Sequence, residues 1–345
     1  MEVFNPNSNI NFLGWRKVSL TISLVLIIVS LGAIFTRGLN YGLDFTGGVL
    51  VEAEYKDPVE TADVRAALEA AGFGDALVQS IGGSREVAIR LQVGRASGAE
   101  ASKALDTDAA KTADADAAKA ASASTGAVAK KKSDQLADDV FSALKAKRQD
   151  VTIKRTDIVG PQVGEELKSD GVTAVLFVII GIMIYIGIRF EWRFAIAAIA
   201  SEFHDTILTV GFYALTQHEF DITVLASVLA VVGYSINDKV VVFDRVREIF
   251  RSSRKGEPID ILNRAINSTL SRTIITALFT AVTMVALYFF GGPVVHGFAL
   301  TMIIGIVIGT LSSIFFANPI LLWLGVSKKD LMPVSRDNPE LARRP

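Results

Sequence analysis

Charged and polar side chains interrupt three of the long apolar stretches in this chain. They form three groups in chain order: Glu202, His204 and Asp205; Asn237, Asp238 and Lys239; and Arg272. A charge at the centre of a membrane helix costs about 2.5 to 3.5 kcal/mol, whereas each Leu or Ile returns only about 0.3 to 0.6 kcal/mol. Such groups therefore need partners or water, and a row of them is suited to carrying protons.

Composition identifies the elements that must position these groups. Half of the 345 residues are hydrophobic, only 21% are charged, and the mean hydropathy is +0.41. A helix needs about 20 apolar residues to cross a membrane, and six stretches, called spans 1 to 6, qualify: 18–36, 170–188, 194–216, 222–243, 270–290 and 297–324. The sequence therefore predicts a polytopic α-helical membrane protein with six transmembrane helices, spans 2 to 6 forming a bundle over 170–324.

The distribution of Lys and Arg predicts the orientation, because short cytoplasmic loops are enriched in both. The segments before span 1, between spans 2 and 3, between spans 4 and 5, and after span 6 all carry them, whereas loops 217–221 and 291–296 have none. Residues 1–17 and 325–345 are therefore predicted to be cytoplasmic. Residues 37–169 are predicted to lie on the outer side.

The depth of the charges predicts a pair. At 1.5 Å per residue, Asp238 lies roughly 24 Å and Arg272 roughly 27 Å from the outer ends of their spans, with Asp205 at roughly 17 Å. Asp238 and Arg272 can therefore meet at one level. The alternative is a static ion pair that only fixes helix packing, and Lys239 or Arg245 can also neutralise Asp238. The simplest interpretation of Lys239 is that it reaches to the cytoplasmic surface.

Polar residues also recur at helical spacing, which places them on common faces. The stripes are Glu202, Asp205, Thr209 and Thr216 on span 3; Thr223, Ser227, Ala230, Tyr234, Asp238, Val241 and Arg245 on span 4; and Thr269, Arg272, Thr276, Thr280 and Thr283 on span 5. Three such faces are what a hydrated path through the membrane needs.

Histidine and cysteine usage narrows the chemistry. His204 beside Asp205 is either a proton relay or a hydrogen-bonding strut. The three histidines lack metal-ligand spacing, so no metal site is expected. The chain has no cysteine, which excludes disulfides and thiol chemistry. Neither a phosphate-binding loop nor a hydrolase motif is present, so no enzymatic activity and no cofactor are expected.

The outer segment, residues 37–169, reads as a small α+β domain. Predicted strands cover 49–55, 86–93 and 151–158, and predicted helices cover 58–71 and 135–147, with Gly72 as a helix stop. Residues 95–133 are almost wholly Ala, Asp, Lys, Ser, Gly and Thr. Such a segment has too little apolar surface to offset its ordering entropy, so the prediction is a disordered insert or a transient helix.

Span 6 carries small residues at intervals of four. The ladder consists of Gly297, Thr301, Gly305, Gly309, Ser313 and Ala317. Small residues let helix backbones approach closely. The ladder therefore predicts tight packing against a helix of the same chain or of a partner subunit.

Four strings in this order resemble the SecF family of protein-export membrane subunits. They are YGLDFTGG at 41–48, VGPQVGEEL at 159–167, VGYSINDKVVVFDRVRE at 232–248 and SRTIITA at 271–277. The resemblance covers nearly the whole chain. The sequence departs from the family pattern in two places. Lys239 stands where Thr or Ser is usual, and the insert at 95–133 is longer and more charged than in the usual outer domain.

The resemblance implies a function. Members of the family pair with SecD in a bundle of the resistance-nodulation-division superfamily and work beside the SecYEG translocon. There the proton-motive force assists export of unfolded polypeptides across the bacterial inner membrane. YajC and YidC are further candidate partners, and no nucleic acid is implied. The outer domain is then periplasmic and ferredoxin-like.

The resemblance also implies the site residues. Asp238 and Arg272 match the positions that the family links to proton use. Asp205 matches the Asp of the His-Asp pair that the family carries in span 3. His204 and Asn237 complete the candidate set. The hypothesis is that burial opposes the charge on Asp238 while Arg272 stabilises it, so that Asp238 can take up and release a proton.

Three rival functions remain open at this stage. Two intramembrane aspartates, Asp205 and Asp238, suggest an aspartyl protease, but the GxGD arrangement is missing around Asp238. A translocase scaffold would need only the packing surface of span 6. Half of a small-molecule or lipid exporter of the resistance-nodulation-division class is the closest alternative.

Overall fold

The computed structural model describes residues 10–74, 76–80, 84–91, 138–159, 161–253 and 256–326. The chain divides into two compact units, residues 1–40 with 174–345, and residues 41–173. The predicted insert 95–133 and residues 327–345 of the predicted tail lie outside the described residues.

The elements follow the predicted order. In the described residues the helices are α1 (Arg16–Arg37), α2 (Leu43–Thr46), α3 (Thr61–Ala70), α4 (138–147), α5 (Pro161–Arg189), α6 (Trp192–Thr216), α7 (Ile222–Ser252), α8 (Pro258–Phe290), α9 (Pro293–Ser312) and α10 (Asn318–Trp323). The strands are β1 (Asn40–Tyr41), β2 (Gly48–Tyr55), β3 (Leu77–Ser80), β4 (Glu86–Leu91), β5 (Val151–Val159) and β6 (Glu219–Phe220). A 3-10 turn, Leu13–Trp15, precedes α1, and a π-helical turn, Ser313–Ala317, joins α9 to α10.

Unit 41–173 is built on a four-stranded antiparallel sheet with the order β3-β4-β2-β5. Val51 at the centre of β2 pairs with Ile89 of β4 and with Thr156 of β5. The buried side chains of β2, β4, α3 and α4 form one apolar core. Alternating burial along β2 follows from the two-residue period of a strand that has one face on this core.

The other unit is a group of long helices. Among the described residues, five segments are long and apolar enough to cross a membrane: Leu13–Arg37, Val163–Arg189, Ile222–Ser252, Pro258–Phe290 and Val294–Trp323. The 25-residue helix α6, which contains predicted span 3, is not among them. Glu202 and Asp205 lower its hydropathy, so the sixth span stays a prediction.

The small-residue ladder of span 6 faces α7 of the same chain. A Cβ added at Gly309 would lie 2.7 Å from Ser235 Oγ, one at Gly297 would lie 2.9 Å from Val224 Cγ2, and one at Gly305 would collide with Val231. The two helix backbones approach closely along this line. This contact brings α9 next to the charged part of α7.

The π-helical turn follows from the residues around it. Pro319 near the start of α10 has no backbone N–H, so a regular helical hydrogen bond is lost there. The Asn318 side-chain Nδ2 instead donates to the Ser313 carbonyl oxygen at 2.6 Å. The wider turn places Phe316 over His204, with ring centroids 4.1 Å apart.

Candidate intramembrane charge cluster

A cluster of charged side chains joins α6 to α7. Glu202 and Asp205 lie three residues apart on α6, so they share one face. Lys239 Nζ on α7 donates to Asp205 Oδ2 at 2.7 Å and to Glu202 Oε2 at 2.9 Å. The side chains of Lys239 and Asp205 have no exposed surface. The interpretation that Lys239 reaches to the cytoplasmic surface is therefore wrong, because two carboxylates on the neighbouring helix hold its ammonium inside.

Two serine hydroxyls complete the coordination of Asp205. Ser235, four residues before Lys239 on the same face of α7, donates to Asp205 Oδ2 at 2.6 Å. Ser312 of α9 donates to the same oxygen at 2.6 Å. Lys239 Nζ also donates to Ser235 Oγ at 2.7 Å. Asp205 Oδ2 thus accepts from three donors, and the cluster ties α6, α7 and α9 together.

His204 contacts the opposite oxygen of Asp205. Its Nδ1 lies 2.7 Å from Asp205 Oδ1, and its ring stacks on Phe316. Its buried Nε2 has no hydrogen-bond partner among the described residues. His204 also lines a mostly apolar cavity of about 530 Å³ that is bordered by α1, α6 and α9. The structure therefore brings His204 and Asp205 into contact, and the choice between a proton relay and a hydrogen-bonding strut stays a prediction.

The charges of the cluster do not cancel. Glu202 and Asp205 carry two negative charges when both are ionised, and Lys239 carries one positive charge. Excess charge is costly where water is excluded. His204 Nδ1 contacts the other oxygen of Asp205. The cluster is therefore strongly hydrogen-bonded, and a further positive charge near its carboxylates would stabilise it.

Asp238 lies on a different side of α7 and is 4% exposed. Among the described residues its Oδ2 has no hydrogen-bond partner, and no nitrogen of Arg272 lies within 4.0 Å of its carboxylate. The predicted contact pair of Asp238 and Arg272 is therefore not formed. Arg272 is exposed on α8, although both it and Lys239 attract Asp238 over a longer distance. Arg245 instead pairs with Glu248 at 2.6 Å.

The contact between Asp238 and Arg272 that was predicted from their equal depth is absent for a geometric reason. Counting residues gives the level along a helix axis, but it does not give the direction in which a side chain leaves that axis. Asp238 points inward, whereas the long Arg272 side chain points outward from its own helix. A shared level therefore did not produce a contact.

The polar stripes are largely satisfied within their own helices. Thr276 Oγ1 donates to the Arg272 carbonyl at 2.9 Å, and Thr280 Oγ1 donates to the Thr276 carbonyl at 2.8 Å. Both threonines lie near the Tyr234 hydroxyl, which makes no hydrogen bond with either. The stripes of α7 and α8 therefore face each other one turn from Asp238. A hydrated path along them stays a prediction.

Sequence reasoning placed Asn237 in the site and overlooked Ser235 and Ser312. Asn237 is exposed on α7, so it does not join the cluster around Lys239. Ser235 and Lys239 are spaced by four residues, and this second polar face on span 4 was the available signal. Ser312 carried no comparable signal, because only the approach of α9 brings it to Asp205.

Two of the quoted strings meet inside unit 41–173. The string at 41–48 ends in Gly47 and Gly48, whose φ angles of +67° and +137° suit glycine. A Cβ at Gly48 would collide with the Leu91 carbonyl. Gly164, in the string at 159–167, lies so close that its Cβ would be 3.1 Å from the Gly47 nitrogen. Both strings therefore build one tight junction at the start of β2.

Comparisons with known proteins agree with these features. Residues 139–327 match the family described as protein export membrane protein SecD/SecF, C-terminal, and residues 32–59 match the SecD/SecF GG motif. Protein translocase subunit SecF of Pseudomonas aeruginosa is 41% identical over 324 residues, which is 94% of each chain. Its counterpart of Vibrio alginolyticus is 39% identical over 347 residues, which is 100% of this chain and 99% of the relative.

A solved structure has a similar fold. The crystal structure of SecDF, a translocon-associated membrane protein from Thermus thermophilus, superposes with a TM-score of 0.75 and 31% sequence identity. The match covers 93% of this chain and 39% of the SecDF chain. This chain therefore corresponds to less than half of that larger protein.

The long apolar helices and the charges buried between them define a multi-pass helical membrane protein. The chain belongs to the SecD/SecF family of protein export membrane proteins, as the two matched family regions and the near-full-length SecF relatives show.

Proposed function

We propose that this chain is the SecF-type subunit of a Sec translocase accessory complex that uses the proton-motive force to assist polypeptide export. The observation that carries the proposal is the state of Asp238, a buried acid on a membrane helix whose Oδ2 has no hydrogen-bond partner in the part of the chain that the structure describes. Such a carboxylate can accept a proton without breaking an existing hydrogen bond. The proposed role is that of a transport subunit without enzymatic activity.

The proposed cycle starts with proton uptake by Asp238. Neutralising the acid removes its longer-range attraction to Arg272 of α8, which weakens the coupling of α7 to α8. The helices then shift against each other. Because α5 begins in unit 41–173 and continues into the membrane unit, such a shift can be passed to the outer domain and to the emerging polypeptide.

The proposed partners follow from the relatives. The SecDF chain of Thermus thermophilus is matched over only 39% of its length, which favours a SecD subunit as the missing half of the bundle. SecYEG and the exported unfolded polypeptide are the further proposed partners, with YajC and YidC as additional candidates. The proposed location is the bacterial inner membrane.

The proposed topology has six spans with both termini in the cytoplasm and the outer unit in the periplasm. The length of α6, 25 residues or about 38 Å, supports its role as the sixth span. The chain order β2-α3-β3-β4-α4-β5 and the sheet order β3-β4-β2-β5 support a ferredoxin-like outer domain.

Reconstitution tests the proposed function. Inverted inner-membrane vesicles lacking their own SecF are supplied with this chain and its SecD, and export of a preprotein is measured with and without a protonophore. We expect the chain to raise export only while the gradient is present, and to co-purify with SecD and SecYEG. Equal stimulation after the gradient is collapsed would contradict the proposal.

A further inference from the structure

The ammonium of Lys239 occupies the position that a bound cation would take. Three oxygens surround it: Asp205 Oδ2 at 2.7 Å, Ser235 Oγ at 2.7 Å and Glu202 Oε2 at 2.9 Å. They come from two helices, and the ammonium has no exposed surface. The side chain of Lys239 thus delivers a single positive charge into a closed oxygen site.

The carboxylate of Asp205 is held by contacts that do not involve Lys239. Ser235 and Ser312 both donate to Asp205 Oδ2 at 2.6 Å, and His204 Nδ1 lies 2.7 Å from Asp205 Oδ1. Glu202 is 7% exposed, and its second oxygen, Oε1, is buried without a hydrogen-bond partner among the described residues. Asp205 is therefore preorganised, and the second oxygen of Glu202 is available to a further ligand.

Without the ammonium, the cluster would hold two carboxylates with no buried positive partner. An uncompensated buried charge is strongly destabilising, so the vacated position would attract a cation. The single positive charge and the spacing favour a monovalent ion. Mg²⁺ requires near-octahedral oxygens at 2.0 to 2.1 Å, and Ca²⁺ takes six to eight oxygens at 2.3 to 2.6 Å, whereas these oxygens already fit a singly charged ammonium.

We propose that Lys239 is a resident cation that fills an alkali-cation site formed by Asp205, Glu202 and Ser235. The cluster of this chain therefore binds no Na⁺ or K⁺, and replacing Lys239 with a short side chain opens the site to them. This inference concerns the cluster itself and stands whether or not the chain assists export.

Thermal unfolding of the purified full-length chain in detergent tests the proposal. The midpoint Tm of Lys239→Ser is compared in NaCl, KCl and choline chloride at constant ionic strength. We expect Na⁺ or K⁺ to raise the Tm saturably, by about 3 °C or more at ten times the apparent Kd, because a ligand that binds only the folded state stabilises it. Choline is too large for the site and serves as the reference.

Two control variants isolate the site. Lys239→Met fills the space with an unbranched side chain that offers no oxygen, so its Tm is expected to be the same in all three salts. Adding Asp205→Asn to Lys239→Ser removes the central ligand and is expected to abolish the alkali-ion effect. Folded Lys239→Ser with one Tm in all three salts would overturn the proposal, as would stabilisation only by Mg²⁺ or Ca²⁺.

The same Tm comparison on the unmodified chain is a second test, which does not depend on the folding of a variant. Its Tm is expected to be the same in NaCl, KCl and choline chloride. A saturable rise in Na⁺ or K⁺ that Asp205→Asn removes would overturn the proposal, because the site would then be open to mobile cations with Lys239 in place. None of these readouts involves export, so their failure is distinct from failure of the proposed function.

Discussion

Asp238 and Lys239 are consecutive residues that face different neighbours. Successive residues of a helix are rotated by about 100°, so two adjacent charges can serve two separate sites. Lys239 points to Glu202 and Asp205, whereas Asp238 is buried without a contact ion pair to Arg272. The first arrangement is suited to holding three helices together, and the second leaves an acid free to change its charge.

Asp205 is expected to dominate the stability of the membrane unit. Asp205→Asn leaves the buried Lys239 with only one carboxylate, and breaking such a pair costs about 3 to 5 kcal/mol. The free energy of unfolding in mixed detergent micelles measures this loss. The matched control is Asp244→Asn, whose half-exposed pair with Arg189 at 2.7 Å is expected to contribute about 0 to 1 kcal/mol. Equal effects of the two substitutions would contradict this assignment.

Asp150 is expected to give the outer unit an acid-sensitive contact. Arg148 donates to both oxygens of Asp150, at 2.9 and 2.6 Å, and this hydrogen bonding lowers the pKa of Asp150. A lowered pKa in the folded state means that the stabilisation is present above the ordinary Asp value, about pH 4, and is lost as the pH falls through the lowered pKa.

The protein is equilibrated in increasing denaturant at a series of pH values. The quantity measured at each pH is the denaturant concentration at which half of the β2 and β5 amides become exposed. Amides are then labelled in a short pulse at one fixed pH and read by mass spectrometry. We expect Asp150→Asn to flatten the fall below about pH 4. Asp157→Asn, on the adjoining strand β5, serves as the control, and an unchanged acid dependence in Asp150→Asn would refute the prediction.

At the scale of elements, α9 packs closely against α7 in the membrane unit. A Cβ at Gly305 would collide with Val231, so Gly305→Ala is expected to cost about 1 to 3 kcal/mol of unfolding free energy. Val231→Ala in the same chain should restore part of it. Gly181→Ala is the control, because nothing lies within 4 Å of a Cβ at that exposed position. A stable Gly305→Ala protein would argue against this packing.

The same contact bears on the scaffold alternative. A scaffold that used the small-residue ladder of span 6 to hold a partner subunit would need that ladder on its outer surface. Gly297, Gly305 and Gly309 instead face α7 of their own chain. The ladder therefore stabilises the chain itself, and the main reason for the scaffold hypothesis is lost.

The sequence predicted the elements well where one physical signal dominates. Apolar stretches of sufficient length predicted the six long helices, and alternation predicted β2, β4 and β5. Apolarity does not predict helix ends, because a helix continues past the membrane. Thus α7 reaches Ser252 and α8 begins at Pro258. The short strand β3 and the single turn α2 have no such signal and were missed.

The sequence predicted several residues of the site correctly, but it did not predict which of them contact each other. The cost of burial singled out Asp205, His204, Asp238 and Arg272 from sequence alone. Which acid pairs with which cation depends on side-chain direction and on the approach of α9, and neither is encoded in spacing along one helix. Lys239 was therefore assigned to the surface, although it is the most buried cation of the cluster.

At the scale of the whole molecule, the number of spans depends on α6. The chain has no cysteine, so single cysteines can be introduced without removing others. Trp192 is the first residue of α6 and His218 lies just after its last turn, and both positions are exposed, so Trp192→Cys and His218→Cys mark the two ends of the helix. If α6 crosses the membrane, an impermeant thiol reagent labels the second in intact spheroplasts and the first only in inverted vesicles. Labelling of both from one side would exclude a sixth span at α6.

The proposed role of Asp238 is to carry the proton that couples the membrane gradient to export. The most direct measurement is preprotein export into inverted vesicles that contain Asp238→Asn in place of the original chain. We expect loss of the part of export that depends on the proton gradient, while the part that survives a protonophore persists. Asp244→Asn, the half-exposed acid on the same helix, should retain both parts. Full gradient-dependent export by Asp238→Asn would contradict the account.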